Sequence, residues 1–344
     1  IESMNASGSK NMIRTWSRTS STRTWTRGSV LTETSPVVAT TEVPDTSGFV
    51  GTAARSQWRT VAARFVRHRA ALVGLVLFAL LLAFAFVGPL VWPKGLDAVY
   101  DARRPPSAEY PFGTDRIGRD MLAQTISGTR YSLQIALTVA VVATALGVVL
   151  GALAGYRRGW VDAVVGRTVD LVLCIPALVV TAVLARNTFT IAPGATTRSN
   201  WLAVALIIAL LTAWLPIART MRGVVLSLRE KEFVEAAHAL GGSTPHIVFR
   251  HILPNTVDVI IVSATVTVAQ AVLLESALSF IGLGVRRPDA SLGLIINENK
   301  NELATLPWLF WVPFVFIVLI GLSVNFIGDG LRDAFDPRQK RVRA

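Results

Sequence analysis

Uncharged apolar runs separated by polar stretches dominate this chain from about residue 58 onward. Ala70 to Trp92 carries no charged residue, and neither does Tyr131 to Tyr156. Further runs extend from about Val169 to Ala185, Trp201 to Ile217, Val259 to Gly284 and Trp308 to Ile327. The third is shorter, with Asp170 at its edge and Pro176 inside it. At ~1.5 Å rise per residue, helices of this length cross a ~30 Å hydrocarbon core, the third only with help from its flanks. Each must be helical, because an unpaired backbone amide in lipid is too costly. The pattern predicts an all-α membrane protein with six transmembrane helices.

Charge at the span ends predicts orientation. Arg55, Arg59, Arg64, Arg67 and Arg69 precede the first span with no acid among them, which places that end in the cytoplasm. Alternation then puts residues 157–168, 218–256 and the carboxyl tail inside, the tail bringing Arg332, Arg338, Lys340, Arg341 and Arg343. Residues 93–130, 186–200 and 285–307 fall outside, with charges of both signs or few. Both ends inside requires an even number of spans, in agreement with six.

Composition narrows the class. The apolar fraction is 52% and the mean hydropathy +0.50, values of a polytopic membrane chain. The net charge of +12 sits at span ends and on alternate loops, where it encodes orientation, so nucleic acid is not an expected partner. The single cysteine, Cys174, allows no internal disulfide and is expected to be an inert buried thiol. Residues 1–55 are Ser/Thr-rich with interleaved Arg and Trp, lack an apolar period and do not read as a signal peptide. They are expected to form a disordered or membrane-surface tail. Ile1 is not an initiator, and Met4 offers a candidate start. Residues 56–92 then hold an interfacial amphipathic helix, with Val61 and Phe65 at helical spacing, and the first span.

Residues 228–255 form a polar, helix-friendly island between two spans. Ser227 and Glu230 have the spacing of a capping box. Gly241 and Gly242 offer a left-handed helix stop. Thr244 followed by Pro245 has the pattern of an N-cap with proline at the first helical position. Phe233, Ala236, Ala237 and Leu240 share one face, with small residues that permit close approach, and Glu232 and Glu235 are exposed to basic partners. Glu235-Ala236-Ala237, followed by Gly241 and then Leu253-Pro254, resembles the EAA loop of the membrane subunits of ATP-binding-cassette importers. One position departs from that pattern: His251 stands where the family usually has Ile.

Three further stretches extend the resemblance. Residues 111–120 (PFGTDRIGRD), 275–284 (ESALSFIGLG) and 328–338 (GDGLRDAFDPR) are similar to segments of the C-type permeases of dipeptide and oligopeptide importers. With residues 64–74 at the entry to the first span, the match covers nearly everything from about 58 to 338. It implies a type I importer permease fold: a loop at 93–130, a five-helix core at 131–328 and a cytoplasmic basic tail at 329–344. It implies a multi-pass protein of the bacterial plasma membrane with both termini in the cytoplasm. The implied partners are a homologous B-type permease, two ATPase subunits and an extracytoplasmic solute-binding protein. The ATPase contact falls on Glu232, Glu235, Ala236, Ala237, Gly241, Gly242 and Pro254. Nickel and glutathione importers share these motifs, so other cargoes stay open, as does an ion-coupled secondary transporter, which requires paired broken helices at mid-bilayer.

No Gly-x-x-x-x-Gly-Lys-Ser/Thr occurs, so no cofactor is expected in this chain, and ATP and magnesium belong to partner subunits. Paired catalytic carboxylates and zinc-protease motifs are also missing, so the chain is not expected to be an enzyme. Glu275 lies within a span, where an ionisable group suggests either a place on the substrate path or a hydrogen bond to a neighbouring helix. Gly147, Gly151 and Gly155 fall four apart, a spacing for close helix packing. His238, His246 and His251 are spaced unlike metal ligands. In the loop after the first span, Arg103 and Arg104 belong to a mixed-charge surface suited to docking of the solute-binding protein, with Pro111 to Asp120 packing on the permease itself.

Overall fold

The computed structural model describes residues 57–191 and 200–335, and it is helical almost throughout. The expected tail at 1–55 and Arg338, Lys340, Arg341 and Arg343 lie outside the described residues. Helix α1 (Gln57–Arg67) leads into α2 (Arg69–Val91), whose first turn is capped by the His68 ring, Nδ1 accepting from the Ala71 amide at 3.1 Å. Next come α3 (Met121–Arg157), α4 (Gly159–Leu173), α5 (Ala177–Ile191) and α6 (Trp201–Arg229). The polar island supplies α7 (Glu232–Ala239) and α8 (Thr244–Ile247). Then follow α9 (Val257–Phe280), α10 (Leu292–Asn299) and α11 (Trp308–Phe335).

Among the described residues, five helical stretches are long and apolar enough to cross a membrane, and α4 with α5 makes a sixth if the bent pair counts as one span. The expected third span is therefore not a single rod. α4 and α5 meet at 89° because Pro176 has no amide to donate and forces Ile175 out of helical geometry. α4 also begins within what reads as a loop at 157–168. Only Arg158, with φ +54°, separates it from α3, and its acidic residues find partners on α6: Asp162 with Arg222 at 2.9 Å, and Asp170 with Arg219. Cys174 lies at the bend and is exposed, not buried, since the bend turns it out of the bundle.

Two span ends also differ from the apolar runs. α3 starts ten residues before Tyr131, because the polar side chains of its first turns are satisfied inside the protein. Thr125 and Thr129 donate to the carbonyls of Met121 and Thr125, both at 2.7 Å. The preceding loop is thus shorter than 93–130. α11 continues beyond Ile327 into the segment expected to be tail, since Gly330 fits against Ala71 of α2. α3 is the central post. Its Gly147, Gly151 and Gly155 lie against α6, where a Cβ on Gly147 would sit 2.6 Å from Ile217 and one on Gly155 2.8 Å from the Arg222 carbonyl. The glycine spacing is therefore a packing seam, as read. α9, α2 and α11 close the rest of the core around α3.

Candidate functional site

α7 is short, and its start is built differently from the sequence expectation. Ser227 lies in the last turn of α6 and donates to the Val224 carbonyl at 2.8 Å, while Glu230 pairs with Arg158 at 2.7 Å. No capping box forms, because α6 runs on through Arg229. α7 instead starts after Lys231, with Glu232 and Glu235 in its first turn, where negative charge complements the helix dipole. Its end is as expected. Gly241 takes φ +82°, and the Gly241 and Gly242 amides donate to His238 and Ala237 carbonyls at 3.0 and 3.1 Å, a Schellman closure. The next helix is shifted by one residue: Ser243 is the N-cap, Thr244 the first helical residue and Pro245 the second. Leu240 is the C-cap at this stop, just beyond the last helical residue, Ala239.

Val234 anchors α7 to the bundle at 3% exposure. The other side is open: Phe233 is 40% and Leu240 89% exposed. Ala236 is exposed and Ala237 half-buried. A cavity of about 320 Å³ lies beside it, lined by Tyr156, Arg229, Glu230, Glu235 and His238. Pro254 is exposed in a 3-10 turn (Leu253–Thr256) that follows a π turn (Val248–Ile252). His251 sits in that π turn edge-on to His246, ring centroids 5.6 Å apart. The residues singled out from sequence thus fall on a ledge of short helices and turns. It presents apolar side chains and carboxylates to whatever lies beyond it.

Glu275 does not face an open path. It is fully buried, and its carboxylate accepts from Ser132 of α3 at 3.0 Å and Ser279 at 2.7 Å. Ser132 in turn accepts from the Leu292 amide at 3.3 Å, and the Ser279 hydroxyl from Val285 at 3.1 Å. The cluster joins α3, α9 and the start of α10. Of the two sequence readings, the geometry matches the hydrogen bond between helices.

At the far end from α7, the loop after α2 is pinned by two antiparallel bridges, Val99 with Arg119 and Thr114 with Asp120. Asp115 and Asp120 are buried. Asp120 caps α3 by accepting from Ala123 at 3.0 Å, and Lys94 approaches it at 3.2 Å. Residues 101–109 are exposed. Arg103 takes φ +60°, and its side chain comes only within 3.9 Å of Glu302. Arg104 pairs with Asp101 and approaches Glu109 at 3.9 Å.

Sequence reasoning missed the network beneath this loop. Arg119 binds Asp115 at 2.7 Å and Glu298 at 2.9 Å, and Arg287 binds Glu298 at 2.7 Å and Gln124 at 2.8 Å. Burial pushes the Glu298 carboxyl up, but hydrogen bonds and charge from Arg287 and Arg119 outweigh it and hold it below its ordinary range. Asp289, buried, accepts from the Asn200 and Trp201 amides at 2.7 and 3.2 Å and so holds the start of α6. Pairing across such distances in sequence leaves no local signal. The mixed charge of the two loops is its only trace.

A bundle of apolar helices with a buried polar clamp, a structured loop at one end and a short-helix ledge at the other has the architecture of a polytopic membrane protein. Residues 147–341 match the model of the binding-protein-dependent transport system inner membrane component family, to which this chain belongs. Residues 56–106 match the N-terminal TM domain of oligopeptide transport permease C. A Brucella suis protein whose name includes the words peptide permease is 42% identical over 283 residues, 80% of this chain and 90% of that one. The oligopeptide transport system permease protein OppC of Mycobacterium tuberculosis is 36% identical, covering 82% of this chain and 95% of the relative. The protein of the same name in Bacillus subtilis is 34% identical, covering 83% and 91%.

Proposed function

We propose that this chain is the C-type permease subunit of an ATP-driven peptide importer. It pairs with a homologous B-type permease to enclose the pathway. Two ATPase subunits bind ATP and magnesium and hydrolyse the nucleotide, and this chain contributes no catalytic group. An extracytoplasmic solute-binding protein delivers dipeptides or oligopeptides. The single observation that carries this reading is the likeness to oligopeptide transport permeases over four-fifths of the chain.

The ledge at 228–255 is assigned the coupling role. Glu232 and Glu235 offer charge to basic groups of the ATPase, Ala236 and Ala237 allow its close approach, and Gly241, Gly242 and Pro254 fix the ledge. A rigid ledge transmits a displacement of a few ångströms that a flexible loop would absorb. Arg103 and Arg104 are assigned to docking of the solute-binding protein. Glu275 is assigned to positioning of α10 rather than to the substrate path. Both termini and the ledge lie in the cytoplasm, as the arginines before α2 indicate.

Two measurements test this. The complex of this chain with the B-type permease and two ATPase subunits, supplied with the solute-binding protein, should hydrolyse ATP and accumulate a labelled tripeptide in proteoliposomes, and this subunit alone should do neither. ATP hydrolysis without peptide uptake, alongside uptake of nickel or glutathione, would replace the substrate assignment. Cysteines introduced by Ser107→Cys and Thr244→Cys in a Cys174→Ser background should label from opposite faces of the membrane. Labelling of both by one impermeant reagent added outside would refute the orientation.

A further inference from the structure

Gln270 lies near the middle of α9, in a run uncharged from Val259 to Leu274. Its side chain is exposed on a stripe with Val266 and Leu273, 44% and 58% exposed. Among the described residues it makes no hydrogen bond. A primary amide offers two donors and an acceptor. In hydrocarbon those groups would go unpaired, so a polar side chain at this depth belongs on a watered or occupied surface.

Two further irregularities meet it there. α6 opens into a π turn at Ala209–Ala213, a local widening that recurs at functional positions. The bend between α4 and α5 brings Ile175 to the same place. Together they enclose a cavity of about 260 Å³ whose lining includes Ile208, Thr212, Thr267, Gln270 and Leu274 and carries no charged residue. The Thr212 and Thr267 hydroxyls donate to their own helices, at 3.2 and 2.8 Å. Their oxygens remain able to accept.

We infer that Gln270 is a substrate-contacting residue of the translocation path, hydrogen-bonding the backbone amides of a passing peptide. This rests on the peptide-importer reading above. The chemistry matches on both sides: the glutamine amide pairs donor to carbonyl and acceptor to N–H with a peptide group. Because the wall is uncharged, it discriminates little between side chains or termini, as a carrier of varied peptides requires. Thr212 and Thr267 supply the neighbouring acceptors.

The test uses the complete complex in proteoliposomes, with labelled trialanine as cargo. Gln270→Leu should raise the half-saturating concentration of peptide-loaded binding protein up to about tenfold, the equivalent of one lost neutral hydrogen bond, with maximal rate within about twofold. Gln270→Asn should recover most of that loss. An unchanged half-saturating concentration for Gln270→Leu, in a preparation whose parent transports trialanine, overturns the inference and leaves the peptide reading standing. A parent complex that transports no peptide overturns both. Independently of cargo, Gln270→Cys in a Cys174→Ser background should react with a membrane-impermeant thiol reagent during ATP turnover. Full protection throughout the cycle would mean that this stripe faces lipid or a partner helix, and the inference fails.

Discussion

Ser132 of α3 donates to the carboxylate of Glu275 on α9 at 3.0 Å, across 143 residues of sequence and with both groups fully buried. This contact joins two helices of the core and, through the Leu292 amide, the start of α10. A buried carboxylate so placed orders its neighbours only while its oxygens accept. Glu275→Leu should leave the Ser132 and Ser279 hydroxyls without their acceptor. Each orphaned group costs about 1–3 kcal/mol. The detergent-solubilised complex should show a clear fall in Tm, and Glu275→Gln, which keeps an acceptor oxygen, a smaller one. Equal Tm values for Glu275→Leu and the parent would show that the cluster does not hold α10 in place.

Gly241 separates the structural and coupling contributions of the ledge. Its φ of +82° costs a residue with a side chain about 1–2 kcal/mol. Yet nothing lies within 4 Å of the position a Cβ would take. Gly241→Ala should therefore be tolerated with a small loss of stability. Gly241→Arg should insert into the membrane normally but abolish uptake if its long side chain occupies the surface proposed above to dock the ATPase. Normal peptide uptake by Gly241→Arg would remove the ledge from the coupling path.

How much of this could be read beforehand depended on range. The spans were legible because an uncharged run of twenty residues has few ways to satisfy its backbone in a membrane. The glycine stop of α7 was legible because a left-handed stop is a local requirement. Ser227 and Glu230 misled for the same reason. Their spacing is that of a cap, but only the continuation of α6 through Arg229 decides whether a cap forms there. The early start of α3 was hidden because Gln124 is satisfied by Arg287, 163 residues away. Pro176 marked a break in the third span, but not that its two halves would turn 89°. The cavity beside Gln270 needed four separate helices to come together.

Acid should loosen the end of the molecule that carries α10. Glu298 titrates below its ordinary range because Arg287 and Arg119 stabilise its charged form. The folded value therefore lies below the unfolded one, about 4.3. Its stabilising contribution is present above the unfolded value and is lost as pH falls through the folded one. The Tm gap between the parent and Glu298→Gln should be widest near pH 6 and close as pH drops into the acid range. A gap that stays constant from pH 6 to the acid limit of folding would show that the pairing with Arg287 and Arg119 carries no stability.

Arg103 and Arg104 offer a test of docking that leaves the loop intact. Their backbones, not their side chains, hold the structure: the Arg103 amide donates to Asp115 at 2.9 Å, the Arg104 amide to the Thr114 hydroxyl at 2.8 Å, and the Arg104 carbonyl accepts from Thr114 at 2.9 Å. The side chains are 60% and 48% exposed, with ion-pair partners in the same surface. Exposed pairs of this kind contribute about 0–1 kcal/mol, so Arg103→Gln with Arg104→Gln should not unfold the segment. Charges at a rim act mainly on the rate of encounter, and salt screens them over a Debye length of ~10 Å at 0.1 M. Association with the solute-binding protein should therefore slow several-fold at low salt. The difference should vanish as ionic strength rises, with dissociation little changed. Equal association rates across the whole salt series would leave these arginines as ordinary solvated surface, and docking would have to be sought elsewhere on the exposed stretch from 101 to 109.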